Sequence, residues 1–243
     1  MPATPERPAF YALGRGRARE LLTLLHAPYT AWNLSYFALG AAAAPRLHLD
    51  RLLWGLAAFA LAVGVAAHAL DELHDRPLRT SIGDGALLAL AAASLVGAVA
   101  IGVAGIITVT AWLAPLALAG AVFVPAYNLE LLGGRLHGDL WFAIGWGAFP
   151  ALTGYFINAE KVTLTALLIA AGCLVMSVAQ RRLSSPAREL RRRTRSVSGV
   201  RTRADGDAEE LTLEGMLAPL DGALAAMSLA MVLTASALVI ARL

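Results

Sequence analysis

Apolar residues in this chain fall in long unbroken runs. They do not follow the two-residue alternation of a half-buried strand or the narrow stripe of a surface helix. Leu52–Ala67, for instance, holds no charged side chain. Seven such spans can be drawn: Pro28–Ala44, Leu52–Leu70, Ala86–Ala104, Ile106–Ala126, Leu140–Ile157, Val162–Ala179 and Leu217–Ile240. Each approaches the ~20 residues that a helix needs to cross about 30 Å of hydrocarbon. A transmembrane barrel would alternate polar and apolar residues in short segments, and this chain does not. The pattern predicts an all-α polytopic membrane protein, a single helical bundle over residues 1–243 with about seven transmembrane helices. Pro45, Pro77, Gly83, Gly85, Pro125, Gly133, Gly134, Pro186 and Gly206 fall at or beyond span ends, as breakers should. Gly102 and Gly105 predict a tight hairpin between spans three and four.

Charge then sets orientation. The chain is 58% hydrophobic and 15% charged, against about 25% charged in soluble domains. With the N-terminus cytoplasmic and seven crossings, sixteen of the twenty Lys and Arg residues fall on the cytoplasmic side, nine of them between Arg181 and Arg203. That bias fits the positive-inside rule. It makes the basic excess a topology signal and argues against a nucleic-acid partner. The expected location is the cell membrane, multi-pass. Residues 1–25 form a cytoplasmic N-terminal segment without the apolar core of a signal peptide, and 181–212 a basic cytoplasmic loop, or a loop with a short surface helix, that touches anionic lipid or captures a phosphorylated substrate. The lone Cys173 excludes an intrachain disulfide and a cysteine metal centre.

The candidate chemistry closes span two. His68-Ala69-Leu70-Asp71-Glu72-Leu73-His74-Asp75-Arg76-Pro77-Leu78-Arg79 sets carboxylates, imidazoles and guanidiniums where a membrane helix ends. Asp71 and Asp75 are four apart and share a helix face. The plain alternative is an interfacial acidic cap salt-bridged to Arg76 and Arg79, and the unfavourable dipole at a helix C-terminus argues against it. Two carboxylates without a cysteine or histidine arrangement favour a hard ion, Mg²⁺, with Glu72 as a reserve ligand. Arg76, Arg79 and Arg135 are candidates for the anionic groups such an ion carries. Asn33, His68, Tyr127 and Asn128 are candidates for the pocket lining. The glycines of the turn from Tyr127 to Asp139 would let backbone approach a ligand.

These motifs resemble the UbiA superfamily of intramembrane prenyltransferases. His68-x-x-Asp71-x-x-x-Asp75 with Arg76-Pro77-Leu78-Arg79 resembles that family's first aspartate-rich motif after its second helix. Tyr127 through Gly133, Gly138 and Asp139 to Gly147, Pro150 and Gly154-Tyr155 resembles its Tyr-containing loop and Gly-rich fifth helix. His26-Ala27-Pro28 resembles its Arg-Pro start. The resemblance implies a bundle around a lipid-open cavity in which Mg²⁺ on aspartates holds an isoprenyl diphosphate, with the prenyl group passing to an acceptor at the cytoplasmic face. Three departures stand out. His68 replaces an asparagine. Seven spans replace nine. Gln180-Arg181-Arg182-Leu183-Ser184-Ser185-Pro186-Ala187-Arg188-Glu189 occupies the place of the second aspartate motif. A terpene cyclase of the same type, or a non-catalytic lipid-binding scaffold, is the alternative reading.

Overall fold

The computed structural model describes residues 8–243; Arg7 and the start of the N-terminal segment lie outside them. A short helix α1 (Arg17–Leu24) precedes α2 (Ala27–Ala43). There follow α3 (Leu49–Asp75), α4 (Asp84–Thr108), α5 (Ala114–Asn128), α6 (Asp139–Ala159), α7 (Leu164–Arg192) and α8 (Leu213–Ile240). With the turn Ala111–Leu113 joined to α5, these last six are long and apolar enough to cross a membrane, the architecture of a helical membrane protein. The first expected span, α2, is shorter. Its 17 residues rise about 25 Å at ~1.5 Å each.

Helix α2 is the axis of the bundle, flanked by α6 and α8. Trp32, Tyr36 and Phe37 along it are fully buried. Close approach is built from glycine: a Cβ added at Gly40 would overlap the carbonyl oxygen of Ala151, and one at Gly154 the carbonyl oxygen of Phe37. With no hydrophobic force between helices in lipid, such backbone contact supplies the dispersion energy of association. Pro28 opens α2, where its missing N–H costs nothing, and the helix stops before Pro45. Thr163 and Thr212 cap α7 and α8, accepting from the amides of Ala166 (3.3 Å) and Gly215 (3.0 Å).

Two segments depart from the α-helical ladder, Ala60–Ala67 in α3 and Ala143–Ala148 in α6, each a stretch of π-helix. Wider turns of this kind mark functional sites more often than chance. Here one ends at His68 and the other contains Trp146.

Two expectations need correction. Gly102 and Gly105 lie inside α4, and the turn comes at Val109–Thr110, where the Thr110 hydroxyl accepts from the Trp112 amide. Gly102 instead gives passing room, since a Cβ there would sit 3.3 Å from that of Ala117. The stretch expected from 181 as a basic loop or short surface helix instead continues α7 without a break through Arg192, running past Pro186. Arginine is a good helix former, and basic side chains suit a helix C-terminus. The rest of that stretch carries an exposed two-stranded hairpin, β1 (Val200–Thr202) antiparallel to β2 (Ala208–Glu210), where Arg201 and Arg203 pair with Glu209 at 2.8 and 3.1 Å.

Candidate functional site

At the end of the bundle where α3 and α5 finish, a cavity of about 770 Å³ opens between α2, α3, α5 and the extended end of α7. The segment before α1 covers it: Pro8, Phe10 and Tyr11 are part of the lining, and Ala9 and Ala12 are buried. Among the residues proposed from the sequence, Asp71, Asp75, Arg76, Arg79, Asn33, His68, Tyr127 and Asn128 all line it.

Glu72 does not. Its side chain is fully buried and turned into the loop that follows. One carboxylate oxygen accepts from the Leu78 amide at 2.8 Å; the other accepts from the Thr80 amide at 2.8 Å and the Thr80 hydroxyl at 2.9 Å. An acidic residue one turn before the end of α3 therefore organises the 76–80 turn, in which Arg76 (φ 50°) and Arg79 (φ 54°) are left-handed, and its oxygens are occupied by the chain's own donors. Ser81 continues the arrangement, its amide and hydroxyl donating to Glu20 on α1 at 2.8 and 2.7 Å. Those bonds hold the Glu20 carboxyl below the usual carboxylate range.

Arg135 is exposed and stands outside the lining. Arg76 reaches the cavity edge, but its guanidinium donates to the Ile82 carbonyl at 2.6 Å and pairs with Asp84. Arg79 is exposed at the rim. The cations that face inward come from α7: Arg181, Arg188 and Arg192. Arg181 is paired with Asp139 at 2.8 Å and lies 5.2 Å from the Phe142 ring centre.

His26 stacks on His68 with ring centres 4.0 Å apart. The Nδ1–H of His68 donates to the Gly64 carbonyl at 3.1 Å, which leaves Nε2 as an acceptor. Burial, then the neighbouring His68, Arg192 and Arg188, hold His26 well below the ordinary imidazole range, so it is neutral at pH 7. Burial also pushes the Tyr11 phenol up, keeping its proton as a donor.

The cavity leaves polar atoms unanswered. Five buried side-chain atoms lack a hydrogen-bond partner among the described residues. Four line this cavity: Asn33 Oδ1, Tyr127 Oη, Gln180 Oε1 and Arg192 Nε. Asn33, Tyr127 and Gln180 are each under 5% exposed. Buried polar groups are nearly always satisfied, and each orphan costs about 1–3 kcal/mol. Four around one cavity point to a polar ligand that completes them.

Beside it lies a second, apolar groove of about 550 Å³ between α3, α4, α5 and α6, walled by Trp54, Phe59, Leu95, Phe123 and Phe149. It runs to Asp50 and Arg51 near the opposite end of α3. Trp146 lines both spaces.

For a divalent ion, one group of three donors among the described residues comes within 4.8 Å of one another: His74, Asp75 and Glu130, all exposed at the rim. Two carboxylates from separate elements, leaving positions for water and phosphate oxygens, fit Mg²⁺. The imidazole is a softer donor that suits Mn²⁺ as well. Asp71 lies in the same cavity but outside this group. Glu130 was not legible as a ligand, because only the fold of the 127–139 turn carries it to Asp75. His137 bonds the Tyr127 carbonyl at 3.0 Å and stacks on the Tyr127 ring at 4.5 Å, which helps hold that turn. Arg192 and Gln180 were also not singled out, since nothing local separates them from a solvated basic face, and His26 only as the start of the first span.

Comparison of the chain with protein-family models, with curated proteins and with solved structures gives no match.

Proposed function

We propose that the chain is a UbiA-like membrane prenyltransferase that acts on an isoprenyl diphosphate with Mg²⁺ and passes the prenyl group to an acceptor at the cytoplasmic face of the cell membrane. One observation carries this reading: a polar cavity with unanswered donors and acceptors lies beside an apolar groove, and Trp146 is part of both linings. An amphiphile with an anionic head and a hydrocarbon tail matches both spaces. The groove lies within the range of about 300–1,000 Å³ usual for small-molecule sites. If α2 crosses together with the six long apolar helices, the seven crossings would put the basic end inside.

Asp75 and Glu130 would hold the metal, with Asp71 behind them and His74 alongside. The ion would neutralise charge on the departing diphosphate. The chain does the rest. Arginines on α7 stabilise the anion as the carbon–oxygen bond breaks and its electron pair leaves with the diphosphate. Aromatic and aliphatic walls around Trp146 keep water from the allylic cation. Asn33 Oδ1 and Gln180 Oε1, both acceptors without donors, would orient a hydroxyl or amine of the incoming acceptor. His68 Nε2 is a base within the same cavity.

The test is consumption of geranylgeranyl diphosphate by purified protein with Mg²⁺, with pyrophosphate release measured. Turnover that Asp75→Asn abolishes supports the reading; turnover unchanged in that variant refutes it. A second reading has one observation in its favour: the α7 segment bears arginines where the resemblance expects aspartates. It is a lipid-binding protein that holds the same ligand without cleaving it, and saturable stabilisation by the ligand with no pyrophosphate released would favour it.

A further inference from the structure

Arg188 and Arg192 are four residues apart on α7 and both line the polar cavity. Side chains at that spacing are neighbours on one helix face, so the two guanidiniums repel. Arg51, Arg76, Arg181, Arg191, Arg201 and Arg203 each have a carboxylate within 4.0 Å. Arg188 and Arg192 have none among the described residues, although Asp71 lies in the same cavity. Arg188 donates a single bond, to the Ser185 hydroxyl at 3.3 Å, and Arg192 Nε is buried without an acceptor. The Tyr127 hydroxyl, 4% exposed, is a further donor without an acceptor in the same cavity.

Like charges brought together, with donors left over and no acceptor, describe an anion site seen without its anion. The guanidinium fork matches the oxygen spacing of a phosphate, and bonds to it are charge-assisted.

We propose that Arg188 and Arg192, with the Tyr127 hydroxyl, form a metal-independent phosphate subsite that holds one phosphate of the diphosphate head. The other phosphate is left to the rim carboxylates Asp75 and Glu130. This inference rests on the isoprenyl diphosphate reading and adds a division of labour: one half of the head is held by metal, the other by guanidinium. A single divalent ion then suffices, which accounts for a chain with one acidic cluster where two would otherwise be needed.

The experiment uses the full chain in detergent with inorganic pyrophosphate as probe, titrated calorimetrically and by melting temperature, in EDTA and in Mg²⁺. Saturable binding is expected in EDTA. Arg192→Gln should weaken it about ten-fold or more, the loss of a charge-assisted pair, and Arg192→Lys should weaken it less, keeping the charge and losing the fork. The ligand-free melting temperature of Arg192→Gln should not fall, because a repulsion is removed. Binding that needs Mg²⁺ and is equal in wild type and Arg192→Gln would overturn the subsite while leaving the diphosphate reading intact. A lower ligand-free melting temperature in Arg192→Gln would make the arginine structural and overturn it too. Failure of pyrophosphate and geranylgeranyl diphosphate alike, with and without Mg²⁺, would remove both.

Discussion

Replacing Glu72 by alanine separates a structural carboxylate from a metal ligand. The side chain is fully buried and accepts three hydrogen bonds, two at 2.8 Å and one at 2.9 Å, from Leu78 and Thr80. Bonds to a charged group contribute about 1.5–3 kcal/mol each. Alanine strands two backbone amides, one of them on a residue 5% exposed, and leaves a void. The terms are not additive, and the desolvation of the carboxylate is recovered, so a net loss of about 3–5 kcal/mol is expected. At roughly 2–4 °C per kcal/mol for a chain of this size, that lowers the melting temperature by roughly 6–20 °C. Intrinsic tryptophan fluorescence during heating in detergent, without divalent ion, reads it directly. Glu72→Gln keeps one acceptor oxygen and should fall between. In Glu72→Gln the stabilisation produced by Mg²⁺ with geranylgeranyl diphosphate should survive. If ligand-free stability were unchanged and that Mg²⁺ response lost, the carboxylate would be an ion ligand after all.

The remaining predictions concern packing, the orphaned cavity groups and pH. Gly154→Ala should prevent α2 and α6 from closing, seen as aggregation in size-exclusion chromatography, while Gly172→Ala, with nothing within 4 Å of the added carbon, should be neutral; equal behaviour would contradict the contact. Tyr127→Phe removes a hydroxyl without a partner, so ligand-free stability should hold or rise while geranylgeranyl diphosphate binds several-fold more weakly; a destabilised, binding-competent variant would reverse that assignment. Glu20 is held low by Ser81, so its contribution is complete above the ordinary glutamate range and disappears as pH falls through its lowered folded value. Melting curves of wild type and Glu20→Gln should therefore converge in that acid window, and a gap that widens there would be inconsistent.

The spans were legible because a membrane demands length and apolarity, which any window of the sequence reports. Their ends were less so. Gly102 and Gly105 read as a turn, yet a glycine serves equally to let α5 pass close, and the sequence does not separate the two uses. The arginine-rich run after Ala179 read as a loop, because polarity hides a helix that continues out of the apolar layer. Within the site, Asp71 and Asp75, four apart on α3, both line one cavity, but Asp75 alone of the two joins the donor group at the rim. The neighbouring Glu72 differs from them by about 100° of helix rotation, and that rotation turns it toward the 76–80 loop. Glu130 joins Asp75, and Arg192 joins the cavity, through contacts distant in sequence, while the two π-helical segments leave no local signature. Which donors remain unanswered is a property of the assembled cavity alone.

The proposed ligand is an amphiphile with its head among Asp75, Glu130, Arg188 and Arg192 and its tail beyond Trp146. Photo-crosslinking with a geranylgeranyl diphosphate that carries a diazirine at the tail end, followed by peptide mapping, tests it most directly. The expected result is labelling of groove residues such as Phe59, Leu95 and Phe149, strengthened by Mg²⁺, competed by unmodified ligand and reduced in Asp75→Asn. Labelling spread over the outward faces of α4 and α8, indifferent to competitor and to that substitution, would contradict it.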